Sequence, residues 1–164
     1  MMLLNPAEQA SIEALEKIRN CINSNFCFRL EAGAGAGKTY SLIESIKYLI
    51  SRQANELLSK QQQIACITYT NVAKDEIKDR TDHHPVIFSD TIHAFSWSVL
   101  QHYQVKLREH IPELGEKWVQ RIADSSGISN QLVKYELGFP SINEREITLH
   151  HDDVVSLMAR MLCY

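Results

Sequence analysis

From Ala32 to Thr39 the chain runs Ala-Gly-Ala-Gly-Ala-Gly-Lys-Thr, a stretch in which residue type and spacing together specify a chemistry. Small residues let successive backbone N–H groups turn inward and surround an anion. Lys38 then supplies an ammonium for the β- and γ-phosphates of a nucleotide, and the Thr39 hydroxyl is a hard oxygen suited to Mg²⁺. The run fits the phosphate-loop pattern G-x-x-x-x-G-K-[ST] except at the first position, where Ala32 replaces glycine. The bland alternative is a flexible Gly/Ala loop that happens to end in Lys-Thr. The flanking elements decide between the two.

A phosphate loop works between a strand and a helix, where the positive end of the helix dipole adds to the loop amides. Both neighbours are expected here. The apolar run at 26–30 reads as a buried strand, and Leu42, Ile43, Ile46, Leu49 and Ile50 recur at helical spacing over 38–57. Upstream, Ile12, Leu15, Ile18 and Ile22 mark an amphipathic helix over 8–22, broken by Asn23-Ser24-Asn25. Downstream, residues 64–70 are rich in strand formers, and Asn71 is placed to cap a helix over 72–80. His83-His84-Pro85 makes a break, followed by a strand at 86–88 and a helix over 91–103. This alternation is the grammar of a parallel α/β sheet. Further on, the pattern predicts a helix over 112–123, a turn at Ser125-Ser126-Gly127, a polar loop or irregular hairpin over 137–149, and a closing helix over 152–162.

A length of 164 residues is close to one domain and too short for two complete nucleotide-handling lobes. With 45% hydrophobic and 23% charged residues the chain has the composition of a soluble globular protein. Its formal charge of −3 announces no polyanion partner, so a nucleic-acid site must be a local feature. Lys47, Arg52, Lys60, Lys74, Lys78 and Arg80 cluster in the middle of the sequence, and most of them are read as solvated helix faces. Cys21, Cys27, Cys66 and Cys163 lack metal-site spacing and read as reduced core or near-core thiols. No apolar run approaches a membrane span and no leader pattern opens the chain, so a cytoplasmic location is expected.

Several stretches, in order, are similar to the motifs of one family. Glu31 to Thr39, EAGAGAGKT, resembles motif I of UvrD/Rep-like superfamily 1 DNA helicases, in which alanine at the first loop position is normal. The run from Ile67 to Ile77, ITYTNVAKDEI, resembles motif Ia, and Thr91-Ile92-His93-Ala94-Phe95 resembles motif Ib. Leu4-Asn5-Pro6-Ala7-Glu8-Gln9 is similar to the family's glutamine motif, with Gln9 one residue further from the Leu-Asn pair than usual. His150-His151-Asp152-Asp153-Val154 is loosely similar to the segment before motif II.

The resemblance implies an α/β fold of the P-loop NTPase (RecA-like) type: an incomplete parallel sheet flanked by helices, with a mostly helical insert in the C-terminal half. It divides the chain into the front of a RecA-like domain over 1–100, an insert over 101–150 and a returning helix over 151–164. It implies ATP and Mg²⁺ as cofactors, with Gln9 on the adenine and Ala32, Gly33, Ala34, Gly35, Ala36, Gly37, Lys38, Thr39 and Tyr40 around the nucleotide. Lys38 and Thr39 then serve catalysis, and Thr39 is the metal ligand. It further implies 3′-to-5′ action on single-stranded DNA, touched by Tyr69, Thr70, Asn71, Thr91 and His93. Hydroxyls, an amide and an aromatic at strand ends suit sequence-independent backbone contacts and stacking. Competing readings stay open: Asn71 as a helix cap, His93 as a satisfied, partly buried histidine, and Gln9 as a solvent-facing residue.

An ATPase of this type needs an acidic pair at the end of an apolar strand. Asp75-Glu76 falls on an expected helix, Asp152-Asp153 follows two histidines, and Asp90 has no acidic neighbour. The expectation is therefore a chain that stops shortly before motif II and lacks the second lobe, binding nucleotide without efficient hydrolysis. A non-motor nucleotide-dependent interaction module is the alternative. A small P-loop kinase is disfavoured, since Arg108, Arg121, Arg145 and Arg160 show no clustered lid pattern.

Overall fold

A computed structural model describes residues 6–31, 33 and 37–162. Ala32, Ala34, Gly35 and Ala36 of the glycine-rich loop, Leu4 and Asn5 of the glutamine motif, and Cys163 lie outside the described residues.

Helix α1 (Pro6–Asn23) opens on a proline, whose fixed φ suits the first helical position. It ends where Asn25 turns left-handed at φ 54 and Phe26 N–H returns to the Cys21 carbonyl at 2.9 Å. Helix α2 (Lys38–Ser59) buries Ile43 and Ile46 and packs against α1. Tyr48 ties the two together: its hydroxyl donates to Asn23 Oδ1 at 2.8 Å, and the Arg19 guanidinium lies over its ring. Between these helices the expected strand does not form. Residues 26–31 are irregular, and Phe26 is 71% exposed. A strand is defined by its ladder, and among the described residues no strand pairs with this segment. Cys27 is likewise exposed, against the expectation of a near-core thiol, whereas Cys66 is buried.

Strand β1 (Ile64–Thr68), helix α3 (Asn71–Arg80) and strand β2 (Ile87–Thr91) follow in order. Ile64 N–H donates to the Val86 carbonyl at 2.7 Å, and Thr68 Oγ1 to the Asp90 carbonyl at 3.4 Å. The contacts advance together along both strands, so the pair is parallel, with α3 as the crossover. Ile43, Ile46, Cys66 and Ile77 form the core between α2, α3 and β1. The third expected strand thus exists, displaced toward Thr91.

Contacts divide the chain into two compact units: one runs to Cys66 and takes in Thr70–Ser89, and the other holds Ile67–Tyr69 and everything from Asp90 onward. The second unit contains α4 (Ile92–Leu100), α5 (Gln104–His110), a 3₁₀ turn (Ile111–Leu114), α6 (Glu116–Ala123), β3 (Leu132–Tyr135), β4 (Ser141–Ile142), β5 (Glu146–Leu149) and α7 (His151–Leu162). Central strand β5 pairs parallel with β3, Val133 opposite Ile147 and Tyr135 opposite Leu149, and antiparallel with β4, Ile142 opposite Ile147. Of the two alternatives expected over 137–149, a polar loop or an irregular hairpin, the hairpin forms, and this unit holds a three-stranded sheet beside its helices.

The edge strand β3 is protected by a side chain. The Gln104 amide donates to the Val133 carbonyl at 3.0 Å and accepts from Val133 N–H at 2.8 Å, mimicking a neighbouring strand. Leu107, Ile111, Ile147, Leu149 and Leu157 are fully buried in the core beneath. Each contributes about 1.5–3 kcal/mol by leaving water. No helix among the described residues is long and apolar enough to cross a membrane.

Candidate functional site

Gly37 precedes α2 with φ 74, a left-handed conformation that disfavours any residue with a Cβ. From there the chain enters the helix at once: Ser41 N–H donates to the Gly37 carbonyl at 2.9 Å. Among the described residues no side chain caps this end, and its first turn carries no acidic residue to offset the positive dipole. The Lys38 ammonium reaches back across the loop and donates to the Gly33 carbonyl at 2.8 Å. Lys38, Thr39 and Tyr40 are all exposed in the first turn of α2. An ammonium, a hydroxyl and the N-terminal turn of a helix thus lie at one end of one element, a donor set that matches a polyphosphate and its Mg²⁺. Gln9 sits in the first turns of α1, exposed, with its amide donating to Glu13 at 3.1 Å.

A second arrangement recurs at the ends of β1 and β2. Thr70 and Thr91 each keep an extended backbone while the next residue starts a helix. Thr70 Oγ1 accepts from Ala73 N–H at 3.2 Å, and Thr91 Oγ1 accepts from Ala94 N–H at 3.3 Å. The capping role expected of Asn71 therefore belongs to Thr70. Asn71 is the first residue of α3 and is exposed. Tyr69, at the end of β1, is 89% exposed, which is unusual for an aromatic and leaves its ring face available.

His93, in the first turn of α4, is half-buried. Its ring lies face to face with His151 of α7, with centroids 3.1 Å apart and an interplanar angle of 22°. His151 Nδ1 in turn meets the Tyr135 hydroxyl at 2.6 Å. His93 is partly buried, as one reading expected, but its Nδ1 is buried with no hydrogen-bond partner among the described residues, so it is not satisfied at that nitrogen. Burial, reinforced by His151 and opposed by Asp152, holds the His93 pKa below its ordinary value. Burial also pushes the Tyr135 phenol up. Neither Tyr135 nor His151 was singled out for a site by sequence, although the His150-His151 pair was visible.

The acidic residues are engaged elsewhere. Glu76 pairs with Arg80 within α3 at 2.9 Å. Asp153 accepts from His150 N–H at 2.8 Å and from the Trp118 indole at 3.0 Å, capping α7 and anchoring α6 to it. Asp90 accepts from Thr91 N–H at 2.8 Å. Among the described residues no group of three or more His, Cys, Asp or Glu side chains could hold a metal ion.

An α/β chain whose strands feed helices through threonine caps, with a glycine-led Lys-Thr helix start, is the class this geometry defines. The chain belongs to the UvrD/REP helicase N-terminal domain family, whose match runs over residues 13–161. It is also similar to Gabija protein GajB of Bacillus cereus (strain HuB5-5), with 45% identity over 102 residues. That match covers 62% of this chain and 14% of the relative, so the chain spans a small part of that protein's length. No solved structure matches.

Proposed function

We propose that the chain is the ATP- and Mg²⁺-binding front part of a DNA helicase or translocase that moves 3′-to-5′ on single strands. The observation that carries this reading is the start of α2, where left-handed Gly37 leads into a helix and Lys38 spans back to the Gly33 carbonyl. With nucleotide present, Lys38 would exchange that carbonyl for β- and γ-phosphate oxygens, and Thr39 would ligate Mg²⁺. The metal supplies charge neutralisation between the phosphates. Gly33 and Gly37 belong to the cradle with Ala32, Ala34, Gly35 and Ala36, while Gln9 and Tyr40 flank the base. On this reading 1–100 begins a RecA-like domain, 101–150 is an insert and 151–164 returns toward the first domain.

Tyr69, Thr70, Asn71, Thr91 and His93 are proposed to line the single-strand track, a reading favoured by the exposed Tyr69 ring and by the two repeated strand–threonine–helix turns. A second reading, a non-motor nucleotide-dependent interaction module, is favoured by one observation: both adjacent acidic pairs stand on helices, at Asp75-Glu76 and Asp152-Asp153. Salt-sensitive binding of single strands in preference to duplex supports the motor, and retained ATP binding with no oligonucleotide binding supports the module.

The loop assignment is tested with Lys38→Ala. Losing charge-assisted bonds of about 1.5–3 kcal/mol each at two phosphates lowers ATP affinity by more than about 100-fold. Titration with a fluorescent ATP analogue reads this directly, and unchanged affinity would falsify the assignment.

A further inference from the structure

Two residues outside the proposed track set the orientation of one within it. We infer that Tyr135 of β3 and His151 of α7 are positioning residues for His93, so that the three-stranded sheet and α7 fix the side chain proposed above as a single-strand contact. The functional half of this inference rests on the track reading. The structural half stands on its own geometry.

An imidazole ring has two broad orientations about its outer torsion, and one is normally selected by a hydrogen bond to a ring nitrogen. His93 Nδ1 is buried and has no such partner among the described residues. What selects its plane is the face of His151, stacked at 3.1 Å and 22°. His151 is itself oriented by the 2.6 Å bond between its Nδ1 and the Tyr135 hydroxyl. Because burial keeps that phenol protonated, we assign the hydroxyl as donor and Nδ1 as acceptor. Tyr135 is held by the β3–β5 ladder opposite Leu149 and packs beside Trp97 of α4. A continuous chain of contacts thus runs from a strand of the sheet, through α7, to the first turn of α4.

The titratable groups that act on the pair are Tyr135 on β3, bonded to His151, and Asp152 in the first turn of α7. Asp152 favours a charged His93, and burial and His151 oppose it. Acidification therefore works against the stack, because a proton on His93 is opposed by burial and by the neighbouring ring.

The test uses the 164-residue chain and four variants, with His93 ring resonances followed by NMR across pH and affinity measured for a labelled oligothymidylate. In Tyr135→Phe the ring packing stays but the hydroxyl is lost. His93 then gains its second ring orientation, its resonances move, and affinity falls about two-fold. In His151→Ala the face is lost, both side-chain torsions are released, and affinity falls about six-fold. In His151→Phe a face remains without charge, so affinity stays near that of the parent while the His93 midpoint rises. Unmoved His93 resonances and midpoint in both Tyr135→Phe and His151→Phe would overturn the positioning role. His93→Ala with parental affinity would instead overturn the track reading, leaving the NMR result to decide the positioning alone.

Discussion

Thr70 permits a separation of structure from function that few residues allow. Its Oγ1 caps α3 through the 3.2 Å bond from Ala73 N–H, and it is also proposed to touch the phosphate backbone. Replacing it with alanine removes a cap worth about 1 kcal/mol, within a range of about 0.5–2. Helix α3 has only 10 residues and one buried apolar side chain, Ile77, so little packing compensates. For a chain of this length the melting temperature should fall by about 2–4 °C, and the Ala73 amide should lose protection from hydrogen exchange. Asparagine caps as well as threonine but offers an amide in place of a hydroxyl. Thr70→Asn should therefore recover the stability while oligonucleotide affinity, read by fluorescence anisotropy, stays reduced. Thr70→Ser should recover both. If Thr70→Ala leaves the Ala73 amide as protected as in the parent, the cap is wrong. If Thr70→Asn binds like the parent, the hydroxyl makes no contact with DNA.

Tyr69→Ala combined with Asn71→Ala should weaken single-strand binding without changing ATP affinity, since both side chains are exposed and neither belongs to the buried core; equal loss of both affinities would point to damage to the fold instead. Thiol chemistry gives an independent check of the packing. Burial raises the Cys66 pKa, so the folded state favours the neutral thiol, and this contribution is present below the ordinary thiol range and lost as pH rises through the raised value. Peptide mapping after iodoacetamide treatment at mild alkaline pH should find Cys27 labelled and Cys66 protected until denaturant is added. The depressed His93 pKa works in the opposite direction: its contribution is present above the ordinary histidine value of ~6.5 and fades as pH falls through the lower one. Denaturant midpoints measured downward from neutral pH should therefore decline, and less so in His93→Gln.

Local signals were the legible ones. The apolar spacing in α1 and α2, the β1–α3–β2 alternation and the Lys-Thr helix start all lie within short windows, and the helices match the expected ranges to within a few residues. Where the sequence misled, the deciding partner was distant or ambiguous. The run Phe26–Leu30 has strand composition, yet pairing is a non-local event that composition cannot supply. Thr70 and Asn71 are both good caps, and only the geometry at Ala73 N–H distinguishes them. Helix α5 has seven residues with one buried, Leu107, and β3 has four residues, both too short for a period to register. Tyr135 and His151 are 16 positions apart and carry no mutual signature until the fold brings them into contact.

On the proposed reading, the bond between Lys38 and the Gly33 carbonyl means that an incoming nucleotide would meet an ammonium already latched. That ammonium is not a bare charge awaiting neutralisation, and occupancy is a swap in which one acceptor is traded for a more strongly charged one. Nucleotide affinity would then reflect the difference between two bonds. Because the displaced acceptor is a main-chain oxygen, a side-chain replacement at position 33 leaves it in place, and among the described residues nothing stands within 4 Å of a Cβ added there.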